Sequence, residues 1–340
     1  MSRIAKLLKK KDVGEFLQNV VKKCSVFTPA YKDSLVSFQN FNKDDFRLIE
    51  YSNFSMPPGK CFLFPKTWMK YVDFKFDDAW TDTGRKVLFG VRPCDAQSLT
   101  LLDRALKDNE FYKDKRNNTF IIVMGCNHPL KSCFCTSVRG GPFSTEGADI
   151  FISDIGNDFI LEDVSGRLTN YLLGLPDAGF YDIGKKVEII KKSFKQIEKS
   201  LNLENLPKKL EKIDKMYERD TIWQNLGKNC SNCGDCISIC STCHCCFILD
   251  DVIEIVSDMG SLETIDPCLL NIIMSSGLAG QVPIGYQRLQ RRVMDKFYHS
   301  ARTLGQPFCV GCGRCIAACV ENLDLTEILK TLMEYRIPIT

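Results

Sequence analysis

The chain has 340 residues, 44% of them hydrophobic, which is long enough to bury a substantial core in about two domains. Its net charge of +3 is too small to indicate a nucleic-acid-binding protein, and no apolar stretch is long enough to span a bilayer. Eighteen cysteines would suit a secreted disulfide-rich protein, but residues 1–16 are basic and lack the apolar segment of a signal peptide. We therefore expect metal chemistry in the cytoplasm.

The first half of the sequence alternates short apolar runs with turns. Five runs have the length and composition of strands: Lys60–Pro65, Lys86–Val91, Thr119–Gly125, Ala148–Ile155 and Asp158–Val164. After the second run, Asp95–Tyr112 has apolar residues at helical spacing, and Asp95 is placed to cap that helix. Strand, helix and strand in this order predict a βαβ unit and therefore an α/β domain.

Four cysteines follow the strands of this predicted unit. Cys94 and Cys126 each come soon after one of two parallel strands, so both thiols are expected at the same edge of the sheet. Cys133 and Cys135 lie on the loop after Cys126. Spacing alone leaves three interpretations open: a [4Fe–4S] cluster, a zinc ion, or buried thiols without a ligand.

A charged stretch, Val187–Trp223, leads into the second half of the chain. Its apolar residues form one stripe with lysines opposite, which predicts an amphipathic helix with one face in solvent. A docking surface for another protein is the alternative interpretation of this helix.

The second half contains one cysteine spacing twice, C-x-x-C-x-x-C-x-x-x-C. In bacterial ferredoxins with this spacing, three close cysteines bind one [4Fe–4S] cluster and the fourth binds the neighbouring cluster. The predicted ligands of the first cluster are Cys230, Cys233, Cys236 and Cys319. Those of the second cluster are Cys309, Cys312, Cys315 and Cys240.

Zinc and thiol redox chemistry fit this repeat less well. A zinc site closes with four ligands and has no use for a third cysteine at the same short spacing, and a redox dithiol needs a single C-x-x-C. The proline that usually ends such a run is replaced by Ser241 and Val320. Because that proline is not a ligand, only the local packing is affected, and electron transfer is the predicted chemistry.

Residues 268–282 and 284–305, between the two runs, are predicted helices. The second carries a basic cluster that we interpret as a solvated face, with contact to an acidic partner or an effect on a cluster potential as alternatives. Its members are Arg288, Arg291, Arg292 and Lys296.

The remaining cysteines have weaker patterns. Four thiols, Cys243, Cys245, Cys246 and Cys268, are enough for a further metal, but packing beside the second cluster is the simpler interpretation. Cys24 and Cys61 are predicted core residues, and His244 has no histidine partner for a Rieske centre. The sequence has no G-x-G-x-x-G nucleotide fingerprint, no P-loop and no paired nucleophile and base.

Several motifs occur together, in one order, between about Pro57 and Leu323. They are VLFGVRPCDAQSLTLLD, CNHPLKSCFCTS, DIGNDF, TCHC, DPC and CVGCGRC. In this set the chain resembles the iron–sulfur β subunits of soluble cytoplasmic NiFe hydrogenases (sulfhydrogenases) and the related iron–sulfur component of anaerobic sulfite reductase. The RPCD form favours the hydrogenase branch.

The resemblance implies a non-catalytic electron-transfer subunit. It would work beside a flavin subunit that binds NAD(P)H and a terminal catalytic subunit. Because exposed iron–sulfur clusters are oxygen-labile, we also expect an anaerobic host. The recurring RPCD and CFC motifs of the family also favour a third [4Fe–4S] cluster, with Cys94, Cys126, Cys133 and Cys135 as ligands.

Together these inferences predict an α/β N-terminal domain followed by a mostly α-helical dicluster ferredoxin-like domain. The expected units are residues 1–185, a charged helical connector over 186–222, and the helical domain over 223–340. The expected function is single-electron transfer within a cytoplasmic oxidoreductase complex. The alternatives are an enzyme that binds a substrate at its N-terminal cluster, and a zinc-binding or redox-sensing structural module. The terminal electron acceptor stays open.

Overall fold

The computed structural model describes residues 5–32, 35–49, 57–58, 62–63, 68–72, 75–78, 84–216, 219–243, 247–251, 260–264 and 285–336. Its strands are β1 (Ala5–Lys9), β2 (Ser25–Lys32), β3 (Leu35–Asn40), β4 (Trp68–Val72), β5 (Lys75–Asp78), β6 (Lys86–Val91), β7 (Thr119–Met124), β8 (Ile150–Asp154), β9 (Asp158–Asp163), β10 (Phe247–Asp251) and β11 (Gly260–Thr264).

The α-helices in this part of the chain vary from four to sixteen residues in length. They are α1 (Val13–Val21), α2 (Pro93–Ala105), α3 (Glu110–Asn117), α4 (Phe180–Lys195), α5 (Leu206–Asp214), α6 (Arg219–Gly227), α7 (Asp235–Ser238), α8 (Gly285–Met294), α9 (Ser300–Leu304), α10 (Arg314–Ala317) and α11 (Leu325–Glu334). A π-helical turn, Asp295–His299, joins α8 to α9.

A mixed seven-stranded sheet organises the N-terminal half, in the order β1-β9-β8-β7-β6-β2-β3. The central strands β2, β6, β7 and β8 are parallel, and the outer pairings are antiparallel. Every residue of β6 and β7 is buried, as expected for parallel strands covered on both faces. The βαβ unit and four of the predicted strands are thereby confirmed. Of Lys60–Pro65 only Phe62 and Leu63 are described, in a helical turn.

The helix after β6 differs from the prediction in its limits and its cap. The predicted single helix over Asp95–Tyr112 is two helices, α2 and α3, and the Asn109 side chain caps the second by accepting a hydrogen bond from the Tyr112 amide. Asp95 is not a cap, because α2 already begins at Pro93, a residue well suited to a first helical position. The Asp95 carboxylate is therefore available for another contact.

The charged stretch after the sheet is likewise divided. Three helices, α4, α5 and α6, stand where the sequence predicts a single helix over Val187–Trp223. A proline lies in the first turn of α5. Leu206, Leu210 and Trp223 are fully buried against the helices of the second half. Helices α5 and α6 are therefore part of the core of the second half, whereas α4 keeps one face in solvent, as predicted for an amphipathic helix.

The second half is helical around the cysteine runs but also contains strands. The helix predicted over residues 284–305 is confirmed as α8, the π-helical turn and α9, whereas residues 268–282 lie outside the described residues. Strands β10 and β11, between the two cysteine runs, join β4 and β5 in an antiparallel sheet. The mostly helical prediction therefore holds only in part.

One buried ion pair connects the two halves. Arg314 in α10 donates two hydrogen bonds of 2.6 Å to the two carboxylate oxygens of Asp95 in α2. Both side chains are 1% exposed. A paired guanidinium and carboxylate in this geometry satisfy each other's charge without water.

Candidate functional site

The two cysteine runs fold into the same local structure. In each run a glycine with positive φ, Gly234 or Gly313, precedes a four-residue helix, α7 or α10. The two short helices pack against each other. This pairing brings the last cysteine of each run to the other run.

The first predicted ligand set surrounds a pocket. A cavity of about 80 Å³ is lined by Cys230, Cys233, Cys236 and Cys319, together with Cys315. Cys319 is the fourth cysteine of the second run, yet this pocket places it with the three close cysteines of the first run as well as with Cys315 of its own run. We call Cys230, Cys233, Cys236 and Cys319 the first site.

The second predicted set is also close together. Cys309, Cys312 and Cys315 each interact electrostatically with Cys240, which belongs to the first run. Burial raises the pKa of Cys309 to about 12 and that of Cys312 to about 11. Such thiols become thiolates when a metal replaces their protons. We call these four residues the second site.

The third set lies at the carboxyl edge of the large sheet. Cys94 is in the first turn of α2 after β6, and Cys126 follows β7. The Cys133 thiol interacts electrostatically with Cys126 and with Cys94. Cys135 interacts with Cys126 and with Cys133. Burial raises the pKa of Cys133 and of Cys135 to about 12. These four residues are the third site.

The third site lies against the second. The Cys133 thiol is 3.6 Å from the carbonyl oxygen of Cys312, and the Phe134 amide donates a 2.8 Å hydrogen bond to the Gly311 carbonyl. A Cβ on Gly311 would lie 2.6 Å from the backbone of Cys135, and one on Gly313 would lie 2.3 Å from the carbonyl oxygen of Ser132. The glycines of VGCGRC thus permit close packing of the two cysteine loops.

The basic cluster on α8 and the following turn is not simply a solvated face, contrary to our interpretation of the sequence. Lys296 is 5% exposed and donates hydrogen bonds to the Thr242 hydroxyl at 2.7 Å and to the Phe308 carbonyl at 3.1 Å. Burial alone would lower the Lys296 pKa, but the neighbouring Cys240 and Cys243 raise it. Lys296 is therefore a buried cation beside the second site.

Arg292 lies between the first two sites. It hydrogen-bonds to Cys315 and interacts electrostatically with Cys236, one cysteine from each run. One of its nitrogens is 3.9 Å from the Cys243 sulfur. Arg291, by contrast, is exposed as expected. The sequence alone does not distinguish the two arginines, because the position of the second run relative to the helix is not known beforehand.

Cys243 is a further thiol at the second site. Its hydrogen bond to Cys240 lowers the Cys240 pKa well below its ordinary value. This contact agrees with the packing role expected for Cys243. Cys24 is 8% exposed in the N-terminal core, as expected. Cys61, His244, Cys245, Cys246 and Cys268 lie outside the described residues.

The donor chemistry of the three sites limits the kind of metal centre that they could hold. Within the described ranges, no three histidine, cysteine or acidic side chains come together closely enough to hold a single metal ion. A zinc ion would draw its sulfur ligands to about 2.3 Å from one point, whereas a cubane cluster presents separate iron atoms to its four thiolates. The donor sets are all-sulfur, which is the set that such clusters use.

Comparison with known proteins agrees with this donor chemistry. Residues 229–323 match the model of the 4Fe-4S dicluster domain. The matched segment is therefore similar to 4Fe-4S dicluster domains. It contains every cysteine of the first and second sites, and the third site lies outside it.

The chain is also similar to a known protein over almost all of its length. It is 26% identical over 328 residues to the sulfhydrogenase 2 subunit beta of Pyrococcus furiosus, covering 94% of this chain and 96% of that protein. The resemblance stated from the sequence motifs is thereby confirmed. In the part of the chain described, no helix has the length and apolar character needed to cross a membrane.

Proposed function

We propose that this chain is an iron–sulfur electron-transfer subunit of a multi-subunit oxidoreductase. When bound, three [4Fe–4S] clusters would each carry one electron at a time. The cysteines of the first, second and third sites are their proposed ligands. The observation that carries the proposal is that the three sites form a continuous row, with Cys133 beside Cys312 and Arg292 between Cys236 and Cys315.

The proposed partners are a flavin subunit that binds NAD(P)H and a terminal redox subunit. Exposed apolar side chains on α4 support a protein partner: Phe180 is 97% exposed and Tyr181 is 73% exposed, with Val187 and Phe194 also exposed. This helix reaches the third site, because the Ser193 hydroxyl donates a 2.5 Å hydrogen bond to the Cys126 carbonyl. A partner protein docked on α4 would therefore lie close to the third site.

Protein purified without oxygen should contain about twelve irons and an equal amount of acid-labile sulfide per chain, the content of three cubane clusters. Cys94→Ala and Cys133→Ala should each lower the iron content by about four, because each removes a ligand of one cluster. Iron and sulfide assays measure both results. About eight irons in the unaltered protein would eliminate the cluster at the third site, and zinc in place of iron would overturn the proposal.

The isolated chain should accept electrons from dithionite but should not oxidise NADH or NADPH. The reason is that a nicotinamide gives up a hydride, and a flavin is needed to divide that pair into single electrons. Absorbance bleaching under anaerobic conditions measures both reactions, and adding a flavin subunit should restore reduction by the nicotinamide. Reduction of the flavin-free chain by NADH would instead favour an enzyme in its own right.

Lys296→Met should lower the reduction potential of the cluster at the second site. A buried positive charge a few ångströms away stabilises the more negative, reduced state, so its loss should shift the potential by on the order of 50–100 mV. Redox titration followed by electron paramagnetic resonance measures the shift. Arg291→Met is the matched control, since it removes an exposed charge from the same helical segment. Equal shifts in the two variants would show that Lys296 has no specific effect.

A further inference from the structure

Cys243 is a surplus thiol beside the second site. The first two sites each have four cysteines from the two runs, and Cys243 follows the end of the first run. Its side chain hydrogen-bonds to Cys240, the cysteine of that run that we assign to the second site. The two residues have the C-x-x-C spacing of redox-active dithiols. A thiol that contacts a proposed ligand, and is not required as a ligand itself, is available to react with it.

The turn between the two thiols is held by contacts within the protein. The Cys243 amide donates a 3.3 Å hydrogen bond to the Cys240 carbonyl, which closes the turn. Thr242, inside the turn, is fully buried. Its hydroxyl donates a 2.8 Å hydrogen bond to the Phe308 carbonyl and accepts one of 2.7 Å from Lys296. Because these contacts need no metal, the two sulfur atoms should stay neighbours after a cluster is lost.

The charges around the pair favour thiolate chemistry. A nitrogen of the Arg292 side chain lies 3.9 Å from the Cys243 sulfur. The Lys296 ammonium acts electrostatically on both Cys240 and Cys243. Cations beside a cysteine stabilise its thiolate, which is the form that attacks an oxidant. The pair therefore lies in the electropositive setting that is typical of reactive cysteines.

A cavity of about 660 Å³ gives access to the pair. Cys243, Thr242 and Lys296 are part of its lining, and so are the exposed side chains of Arg104 and Arg291. Since exposed residues border the cavity, it is open to solvent, and a molecule as small as hydrogen peroxide can reach Cys243. Cysteines that sense oxidants combine such access with a second thiol within reach.

We propose that Cys240 and Cys243 form a reversible disulfide when the second site loses its cluster in the presence of a peroxide. The Cys240 thiolate that the iron releases attacks one peroxide oxygen, which gives a sulfenic acid and hydroxide. The Cys243 sulfur then bonds to the Cys240 sulfur and displaces its oxygen, which leaves as water with the Cys243 proton. A dithiol later supplies two electrons and two protons and regenerates both thiols.

The disulfide would protect a ligand of the second site. A sulfenic acid without a neighbouring thiol is oxidised further to a sulfinic acid, which thiols do not reduce, and Cys240 could then no longer bind iron. A disulfide with Cys243 keeps the ligand recoverable. This modification site goes beyond electron transfer. The disulfide does not depend on the proposed function, whereas the recovery of iron described below does.

Differential labelling of the full chain tests the disulfide. Anaerobically purified protein is stripped of iron with a chelator and treated with hydrogen peroxide, then with dimedone, which traps sulfenic acids, and with iodoacetamide, which blocks free thiols. Dithiothreitol and isotope-labelled iodoacetamide then mark the cysteines that were in disulfides, and mass spectrometry locates the label. Cys240 and Cys243 should be labelled together. In Cys243→Ser, Cys240 should carry dimedone and no label. Label at Cys240 that persists in this variant would overturn the proposal, because Cys240 would have another partner.

Reloading of the second site measures the consequence for the cluster. After peroxide, the protein receives dithiothreitol, ferrous iron and sulfide, and the unaltered chain should regain about four irons at the second site. Cys243→Ser should regain on the order of fivefold less there, because its Cys240 has become a sulfinic acid. Cys24→Ser is the matched control, since it removes a buried thiol of the N-terminal core, and it should reload fully. Equal reloading of Cys243→Ser and the unaltered chain would contradict the protective role.

The iron content before any treatment separates this inference from the proposed function. Cys243→Ser should load as much iron as the unaltered chain. A loss of about four irons in this variant would make Cys243 a ligand and overturn the inference. A disulfide between Cys240 and Cys243 in a chain that never binds iron at the second site would refute that cluster and leave the modification site intact. A fully loaded chain that forms no such disulfide would do the reverse.

Discussion

Replacing Cys319 with alanine is expected to remove the cluster of the first site and to leave the second site loaded. Cys319 lines the same pocket as Cys230, Cys233 and Cys236, although it belongs to the other run in the sequence. Alanine offers no ligand atom, so the iron content should fall from about twelve to about eight per chain. Cys240→Ala should produce the reciprocal loss at the second site. Iron assays and electron paramagnetic resonance distinguish the two clusters.

The matched control for these variants is Cys24→Ala. Cys24 is a buried cysteine of the N-terminal core and is remote in sequence from both runs, so the substitution should retain all the iron. Loss of the second cluster, and not the first, in Cys319→Ala would show that each run closes on itself. Loss of both clusters would point to a failure of folding, which the circular dichroism spectrum of the variant would reveal.

Asp95→Ala should destabilise the protein by about 3–5 kcal/mol, the usual cost of leaving one buried charge without its partner. The substitution leaves the Arg314 guanidinium buried without its counter-charge. The Arg314 side chain is 1% exposed and donates two hydrogen bonds to the Asp95 carboxylate. Urea unfolding under anaerobic conditions, followed by circular dichroism, measures the loss. The double variant Asp95→Leu with Arg314→Met should recover most of it, since the two apolar side chains leave no charge to compensate.

The control for the buried pair is an exposed one. Lys215 and Glu211 form a salt bridge of 2.8 Å on the surface of the chain, where water screens the interaction, so Glu211→Ala should leave the unfolding midpoint almost unchanged. If Asp95→Ala behaved in the same way, the ion pair between the two halves would not contribute to stability. A double variant as unstable as Asp95→Ala would show that shape, and not charge, is the main requirement.

The sequence predicts the elements whose pattern depends on local chemistry. The predicted strands Lys86–Val91 and Thr119–Gly125 agree with β6 and β7 to within one residue, because buried parallel strands are nearly continuous apolar runs. The two cysteine runs are recognisable because cluster ligation demands a fixed spacing within a single loop, and residues 229–323 match the dicluster model.

The sequence does not predict contacts that depend on the tertiary arrangement. Asp95 is of a residue type that often caps helices and lies near the start of a predicted helix. Its ion-pair partner, Arg314, is 219 residues away in the sequence. The basic residues of α8 resemble a solvated face in the sequence, and only the packed structure shows that Lys296 is buried beside Cys240.

The close packing of Gly311 and Gly313 on residues 132–135 has a consequence for biogenesis. In this chain the loop of the second cysteine run takes its shape against the N-terminal half, because its backbone lies in contact with that half. The N-terminal half is synthesised first, so the loop of residues 132–135 already exists when the last cysteines leave the ribosome, and the second run can fold against it. Cofactor insertion is therefore expected to proceed in the order of translation, and a truncated chain that begins at the dicluster domain should mature poorly.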